Sequence, residues 1–269
     1  MMITNIPSVA RSAVAAGVDR VFVDLEILGK VARQGHLNTV ISRHRVEDVA
    51  TIRETVPQAE LLVRVNPLHE GSQQEVDTVL AAGADLLMLP MFATAETVAE
   101  FSGIVAGRAG IVPLVETAAA AADIDRVARV HGVHEVFIGL NDLHLSLRRR
   151  FMFELLADGT VEKLCRAVKN AGVPYGFGGV ARLGEGMLPA ELILGEHVRL
   201  GSRSVILSRT FFQDPSRSVH DPSFAEAVAD LRTATVALKS RTAEEAERDR
   251  LNLITITNGI AAKIAKRVA

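Results

Sequence analysis

The sequence predicts an α/β protein built as a TIM (β/α)8 barrel with a C-terminal helical extension. Three observations predict it. Eight short β-rich runs recur between Met2 and Ser208, separated by stretches of alanine, charged and aliphatic residues, the pattern of repeated βα units around a parallel sheet. Several runs are continuously apolar rather than alternating, as strands covered on both faces are. Eight units favour a closed sheet over one with free edges.

The β-rich runs are Met2–Asn5, Val21–Asp24, Leu61–Asn66, Leu86–Pro90, Ile111–Glu116, Glu135–Gly139, Pro174–Gly178 and Ser204–Ser208. Between them, Pro7–Ala16, Val46–Val56, Gln73–Ala82, Ala95–Ile104, Thr117–Val130 and Val161–Ala171 have helical composition. "AAGVD", "AAGAD", "VHGVH" and "NAGVP" each end a helix on a glycine that accepts positive φ. The Ile27–Val46 connection is long and carries Lys30, Arg33, His36, Arg43, His44 and Arg45 without one acidic residue. Residues 1–220 form the barrel domain on this reading, and residues 221–269 the extension. Within the extension, Phe224, Val228, Leu231, Thr235 and Leu238 lie three or four residues apart, and Leu253, Ile256, Ile260 and Ile264 form a second stripe. Thr242 and Glu245 match a capping box at the start of the last helix. Such stripes must be covered. The expectation is a homo-oligomer joined through these helices, the alternative being their return onto their own barrel.

Composition narrows the function classes. Apolar residues make up 48% of the 269, charged residues 23%, and the formal net charge is −2, which argues against bulk nucleic-acid binding. No apolar run approaches the roughly 18 residues of a membrane span, so no membrane partner is expected. Cys165 is the lone cysteine and "MMITNIPSVARS" lacks the apolar core of a signal peptide, so a cytoplasmic setting is expected. With no tryptophan and Tyr175 as the single tyrosine, a ligand is more readily held by charge than by stacking.

Active sites of such barrels lie at the carboxyl ends of the strands. Those ends are charged here: Asp24 and Glu26 follow the second run, Arg64 and Asn66 the third, Glu116 the fifth, Asn141 and Asp142 the sixth, Ser208 and Arg209 the eighth. Buried charges of both signs imply ion pairs, a metal or an anionic ligand. Glu116 and Asp142 emerge at one sheet edge and offer two oxygen ligands, a set that suits Mg2+ or Mn2+, which keep positions for water and substrate. The competing reading pairs each carboxylate with an arginine. Arg64 carries a planar fork suited to a carboxylate or phosphate, its competing role being a salt bridge to Glu26 or Glu116. No histidine and cysteine spacing typical of zinc occurs. The glycine-rich "YGFGGVARLGEG" and Arg209 fall where barrels often bind phosphate, although Gly176, Gly178 and Gly179 also fit a crowded rim.

"VFVDLE", "LLVRVNP", "AAGADLLMLPM", "IVPLVET" and "VFIGLNDLHLSL" resemble, in order, the motifs of the HpcH/HpaI aldolase and citrate lyase family, over about Ala10 to Phe212. The resemblance implies a metal-dependent barrel that makes or breaks a carbon–carbon bond beside a 2-oxo acid such as pyruvate or oxaloacetate, with an aldehyde as second substrate. It implies Glu116 and Asp142 as metal ligands and Arg64 as the group that orients the 2-oxo acid; the backbone at Gly139 and Leu140 would then lie beside the bound oxygens, and Asn66, Asn141 and Arg209, at neighbouring strand ends, are the other expected substrate contacts. The family's aldolases often carry a histidine after the "DxE" segment, where this chain has Ile27, and "FIGLND" has Leu140 and Asn141 in place of proline and alanine. The basic loop is therefore expected to supply proton transfer through His36 or His44, with Glu26 and Arg64 as the other catalytic candidates and His69 and His144 as further proton-transfer ones. Two alternatives stand: an acyl-CoA lyase or citrate-forming enzyme on the same barrel, and a non-catalytic scaffold.

Overall fold

The computed structural model describes residues 1–29, 43–211 and 222–268. Strands β1 (Met2–Ile3), β2 (Arg20–Asp24), β3 (Glu60–Arg64), β4 (Leu86–Leu89), β5 (Gly110–Val115), β6 (Val136–Ile138), β7 (Tyr175–Val180) and β8 (Ser204–Leu207) pair in sequence order, all parallel. The Leu207 N–H donates to the Met1 carbonyl at 2.9 Å and brings β8 beside β1, so the expected barrel is present. Around it lie α1 (Pro7–Ala15), α2 (Val46–Thr55), α3 (Ser72–Ala81), α4 (Ala95–Val105), α5 (Ala118–Ala122), α6 (Ile124–Val127), α7 (Leu140–Ser146), α8 (Glu154–Ala157), α9 (Thr160–Asn170) and α10 (Ala190–Leu200). The helix expected over Thr117–Val130 divides at Asp123, whose carboxylate accepts the Ala95 N–H at 2.7 Å. Helix α10 was not expected. Its sequence, "AELILGEHVRL", buries Glu196 and His197, polar residues that mask the apolar stripe.

Strand alternation sorts the barrel interior into layers. Phe22, Leu62, Leu86, Met88, Val112, Leu114 and Phe137 form the apolar middle. Two residues earlier on the same inward positions stand Arg20, Glu60 and Glu135; two residues later stand Asp24, Arg64, Glu116 and Gly139. The interior is thus an apolar plug between two polar layers. The other strand residues, among them Val21, Val23, Leu61, Val63 and Val115, join the larger core shared with the helices.

The glycine run belongs to β7 itself rather than to the loop after it. A Cβ at Gly176 would collide with the Ser204 hydroxyl, and Gly178 sits at φ 48° against Leu140, so close strand packing requires these glycines. Between Gly176 and Gly179 the β7–β8 register shifts, as at a bulge.

The extension forms α11 (Pro222–Lys239) and α12 (Ala243–Val268). The capping box is present: the Thr242 N–H donates to Glu245 at 2.8 Å and the Glu245 N–H to the Thr242 hydroxyl at 3.2 Å. Helix α11 packs on α10, and α12 on α8 and α10. Phe224, Val228, Leu231 and Leu253 are buried within the chain itself, so these stripe residues need no second subunit to cover them. No helix among the described residues is long and apolar enough to cross a membrane.

Candidate active site

The upper polar layer is assembled by strand register. Asp24 and Arg64 are direct partners across β2 and β3, and their inward side chains meet there. Arg64 donates from Nε to Asp24 Oδ1 at 2.8 Å and from Nη2 to Asp24 Oδ2 at 2.9 Å, while Nη1 lies 3.4 Å from Glu26 Oε2. The fork is held bidentately, over the Phe22 ring 5.7 Å away. Burial works against the guanidinium charge, but Asp24, Glu26 and Glu116 outweigh it and raise the Arg64 pKa. The Glu26 N–H donates to Asp24 Oδ1 at 3.2 Å, a tight turn that returns the second carboxylate towards the same arginine.

Glu116 follows β5 directly and is 3% exposed. Its Oε1 accepts the Met91 N–H at 3.0 Å. Met91 takes φ 54°, an uncommon conformation for a non-glycine residue, and this turn aims its amide at the carboxylate. Gly139 leaves the space Glu116 occupies: a Cβ there would lie 3.2 Å from Glu116 Cβ and 3.3 Å from Oε2. Burial pushes the Glu116 carboxyl up to about 8; Asp142 and Glu26 push the same way, against Arg64 and the Met91 amide. Asp142 lies in the first turn of α7, where the helix N-terminus favours negative charge.

Asp24, Glu26 and Glu116, all buried, gather around the Arg64 guanidinium, and Asp142 lies near enough to Glu116 to push its pKa up. Glu116 and Asp142 are two hard oxygen donors at neighbouring strand ends, the kind of donor that a magnesium-like ion takes. Among the described residues no group of three or more histidine, cysteine or acidic side chains is placed to hold a metal ion.

Other expected residues fall in different places. Asn66 is a clamp: its Oδ1 accepts the Ile27 and Leu28 N–H groups at 2.9 and 3.0 Å, and its Nδ2 donates to Glu75 at 2.8 Å. Leu140 turns its side chain into the core beside Gly178, leaving its backbone at the α7 start. Asn141 is half-buried next to Asp142. His36 and the Arg209 side chain lie outside the described residues. His44 was a secondary candidate, and its Nδ1 accepts the Asp24 N–H at 3.0 Å, which places the imidazole against the strand end carrying Asp24. His69 pairs with Glu75 at 3.2 Å and accepts the Gly71 N–H. The Asp24 grip on Arg64 and the Met91 amide on Glu116 are the two parts of this cluster that the sequence did not single out. Strand register points to the first; nothing in the residue types points to the second.

Residues 2–176 match the family model described as HpcH/HpaI aldolase/citrate lyase. No curated protein matches the sequence. Among solved structures, the chain resembles an HpcH/HpaI aldolase/citrate lyase family protein from Burkholderia cenocepacia J2315, with a TM-score of 0.60 and 18% identity over 89% of this chain and 93% of that one. It also resembles an HpcH/HpaI aldolase from Desulfitobacterium hafniense DCB-2, with a TM-score of 0.58 and 19% identity over 90% and 93%. A third is the protein CitE from Mycobacterium tuberculosis in complex with magnesium and pyruvate, with a TM-score of 0.60 and 16% identity over 94% and 96%.

Proposed function

This chain belongs to the HpcH/HpaI aldolase/citrate lyase family, and from that premise we propose that it is a divalent-metal-dependent carbon–carbon lyase. Its substrates on this reading are a 2-oxo acid, pyruvate or oxaloacetate, and an aldehyde, an anionic or phosphorylated sugar being the class that suits the basic loop. The observation that carries the reading is the cluster of buried carboxylates, Asp24, Glu26 and Glu116, around Arg64, with Asp142 beside Glu116. Glu116 and Asp142 would hold Mg2+ or Mn2+. When bound, such an ion supplies Lewis-acid stabilisation of charge on the 2-oxo acid, worth several kcal/mol in general.

The chain's own residues do the rest. Asp24 grips one edge of the Arg64 fork and fixes its plane, which preorganises the remaining N–H groups for the substrate carboxylate. Gly139 keeps the Glu116 carboxylate in place by leaving room for it. Glu26, buried against Arg64, and the His44 imidazole on Asp24 are the described groups placed to hold or move a proton. Purified protein given pyruvate and Mg2+ or Mn2+ in deuterated water is expected to exchange the methyl protons. Absence of exchange with every divalent metal tried would remove the pyruvate reading.

A further inference from the structure

Between Asp24 and Leu28 the chain leaves β2 beside the Arg64 cluster, and every amide N–H on the way is taken up. Asp24 donates to His44 Nδ1 at 3.0 Å, Leu25 to the Arg64 carbonyl at 2.9 Å and Glu26 to Asp24 Oδ1 at 3.2 Å. The next two, Ile27 and Leu28, share the Asn66 side-chain oxygen at 2.9 and 3.0 Å. Asn66 thus continues the pairing of β2 with β3 by a side chain, beyond the last residue of β3.

Asn66 is itself braced. Its own N–H and its Nδ2 both donate to Glu75 Oε1, at 3.1 and 2.8 Å, from the first turn of α3. With a carboxylate on one side and two backbone donors on the other, a single orientation of the amide satisfies both, and its oxygen has no lone pair to spare. The other Glu75 oxygen faces His69 Nε2 at 3.2 Å, while the Gly71 N–H donates to His69 Nδ1 at 3.0 Å and so leaves the ring proton on the nitrogen facing Glu75.

We propose that Asn66, held by Glu75, is a positioning residue that sets the approach of Glu26 to Arg64, and not a contact to substrate. Glu26 lies one residue before the two clamped amides, and its carboxylate sits 3.4 Å from Arg64 Nη1. Releasing the clamp loosens the far end of that short turn, and a displacement of about 1 Å at a reacting centre costs up to about a hundredfold in rate. The kinetic consequence rests on the lyase reading above; the placement of Glu26 does not.

The test compares the full-length protein with Asn66→Ala, Glu75→Ala and the double variant by amide hydrogen exchange, crystallography and pyruvate methyl-proton exchange with Mn2+ in deuterated water. The Ile27 and Leu28 amides should exchange about tenfold faster in Asn66→Ala, the worth of one hydrogen bond, and less so in Glu75→Ala. In crystals of Asn66→Ala the Glu26 carboxylate should have left Arg64. For the pyruvate reaction kcat should fall about tenfold with KM within about twofold, and the double variant should be no worse than Asn66→Ala, because the two residues act as one unit. Asn66→Asp keeps the side-chain volume but sets a carboxylate against Glu75; it should move every readout the same way and serves if the alanine variant does not fold. Unchanged amide exchange with Glu26 still on Arg64 would overturn the proposal, whether or not the protein acts on pyruvate. So would a rise in KM alone, as for a lost substrate contact, or losses in kcat that multiply in the double variant. Wild-type protein inert towards pyruvate would remove the lyase reading and leave the amide and crystal measurements to decide the clamp.

Discussion

The lower polar layer, Arg20 with Glu60, Glu135 and Ser204, and the upper one, Arg64 with Asp24, Glu26 and Glu116, occupy equivalent inward positions at the two ends of the same strands. Both centre on a half-buried arginine. Below, Arg20 is bracketed by two carboxylates and Glu135 also takes the Ser204 hydroxyl, so the charges largely close on one another. Above, Glu116 accepts the Met91 amide, and burial pushes its pKa up to about 8. The contrast teaches that residue type does not separate a structural ion network from a candidate reactive one. The surroundings of each carboxylate do.

Breaking each layer should have opposite consequences. Glu116→Gln or Asp142→Asn is expected to lower turnover by about three orders of magnitude or more, as loss of a metal-assisted, electrostatically stabilised step does. Glu116→Gln should leave the melting temperature of metal-free protein nearly unchanged at neutral pH, where the carboxyl already holds its proton, and raise it above about pH 8, where the native carboxyl becomes a buried charge. Glu135→Gln should cost about 1–3 kcal/mol of stability at any pH by removing one of the two carboxylates on Arg20, with metal affinity unchanged. Steady-state kinetics, thermal melts and calorimetry on the variants check the set.

A smaller effect follows at Arg64. Lysine cannot reproduce the bidentate grip on Asp24, so Arg64→Lys is expected to lower kcat/KM for the 2-oxo acid by about a hundredfold, mostly through KM. If the arginine were only a strut for Asp24, KM would stay constant while stability fell.

The raised Glu116 pKa sharpens the comparison through pH. Below about 8 metal binding must expel a proton, so affinity should climb by up to about tenfold per pH unit towards pH 8 and level off above it. In metal-free protein the folded state holds that proton between the ordinary value of 4.5 and about 8, more than the unfolded chain does. Its contribution to stability therefore falls as pH rises through that window. His197 behaves oppositely: burial lowers it to about 3, the unfolded chain binds the proton first, and stability drops as pH falls from 6.5 towards 3. The slope is at most about 1.4 kcal/mol per pH unit. His197→Phe should flatten it in pH-dependent denaturant titrations.

Much of this was legible in the residues, because inward and outward positions along a strand follow from counting by twos. The barrel, the carboxyl-end cluster, and Glu116 and Asp142 at its edge came from runs whose ends are charged. The Asp24–Arg64 pair needed register, which a strand-by-strand reading does not supply. The Met91 amide depends on a backbone angle that methionine seldom adopts, and α10 was obscured by buried Glu196 and His197. The extension showed its apolar stripes plainly, but a stripe does not say which surface covers it; here α8 and α10 of the same chain do.

The central claim is that one divalent cation binds between Glu116 and Asp142 in the upper layer. Anomalous diffraction from crystals grown with Mn2+ tests it directly. A single strong peak within coordination distance of both carboxylates, lost in Glu116→Gln, is the predicted result. A peak bound elsewhere, or none there at saturating Mn2+, would contradict it.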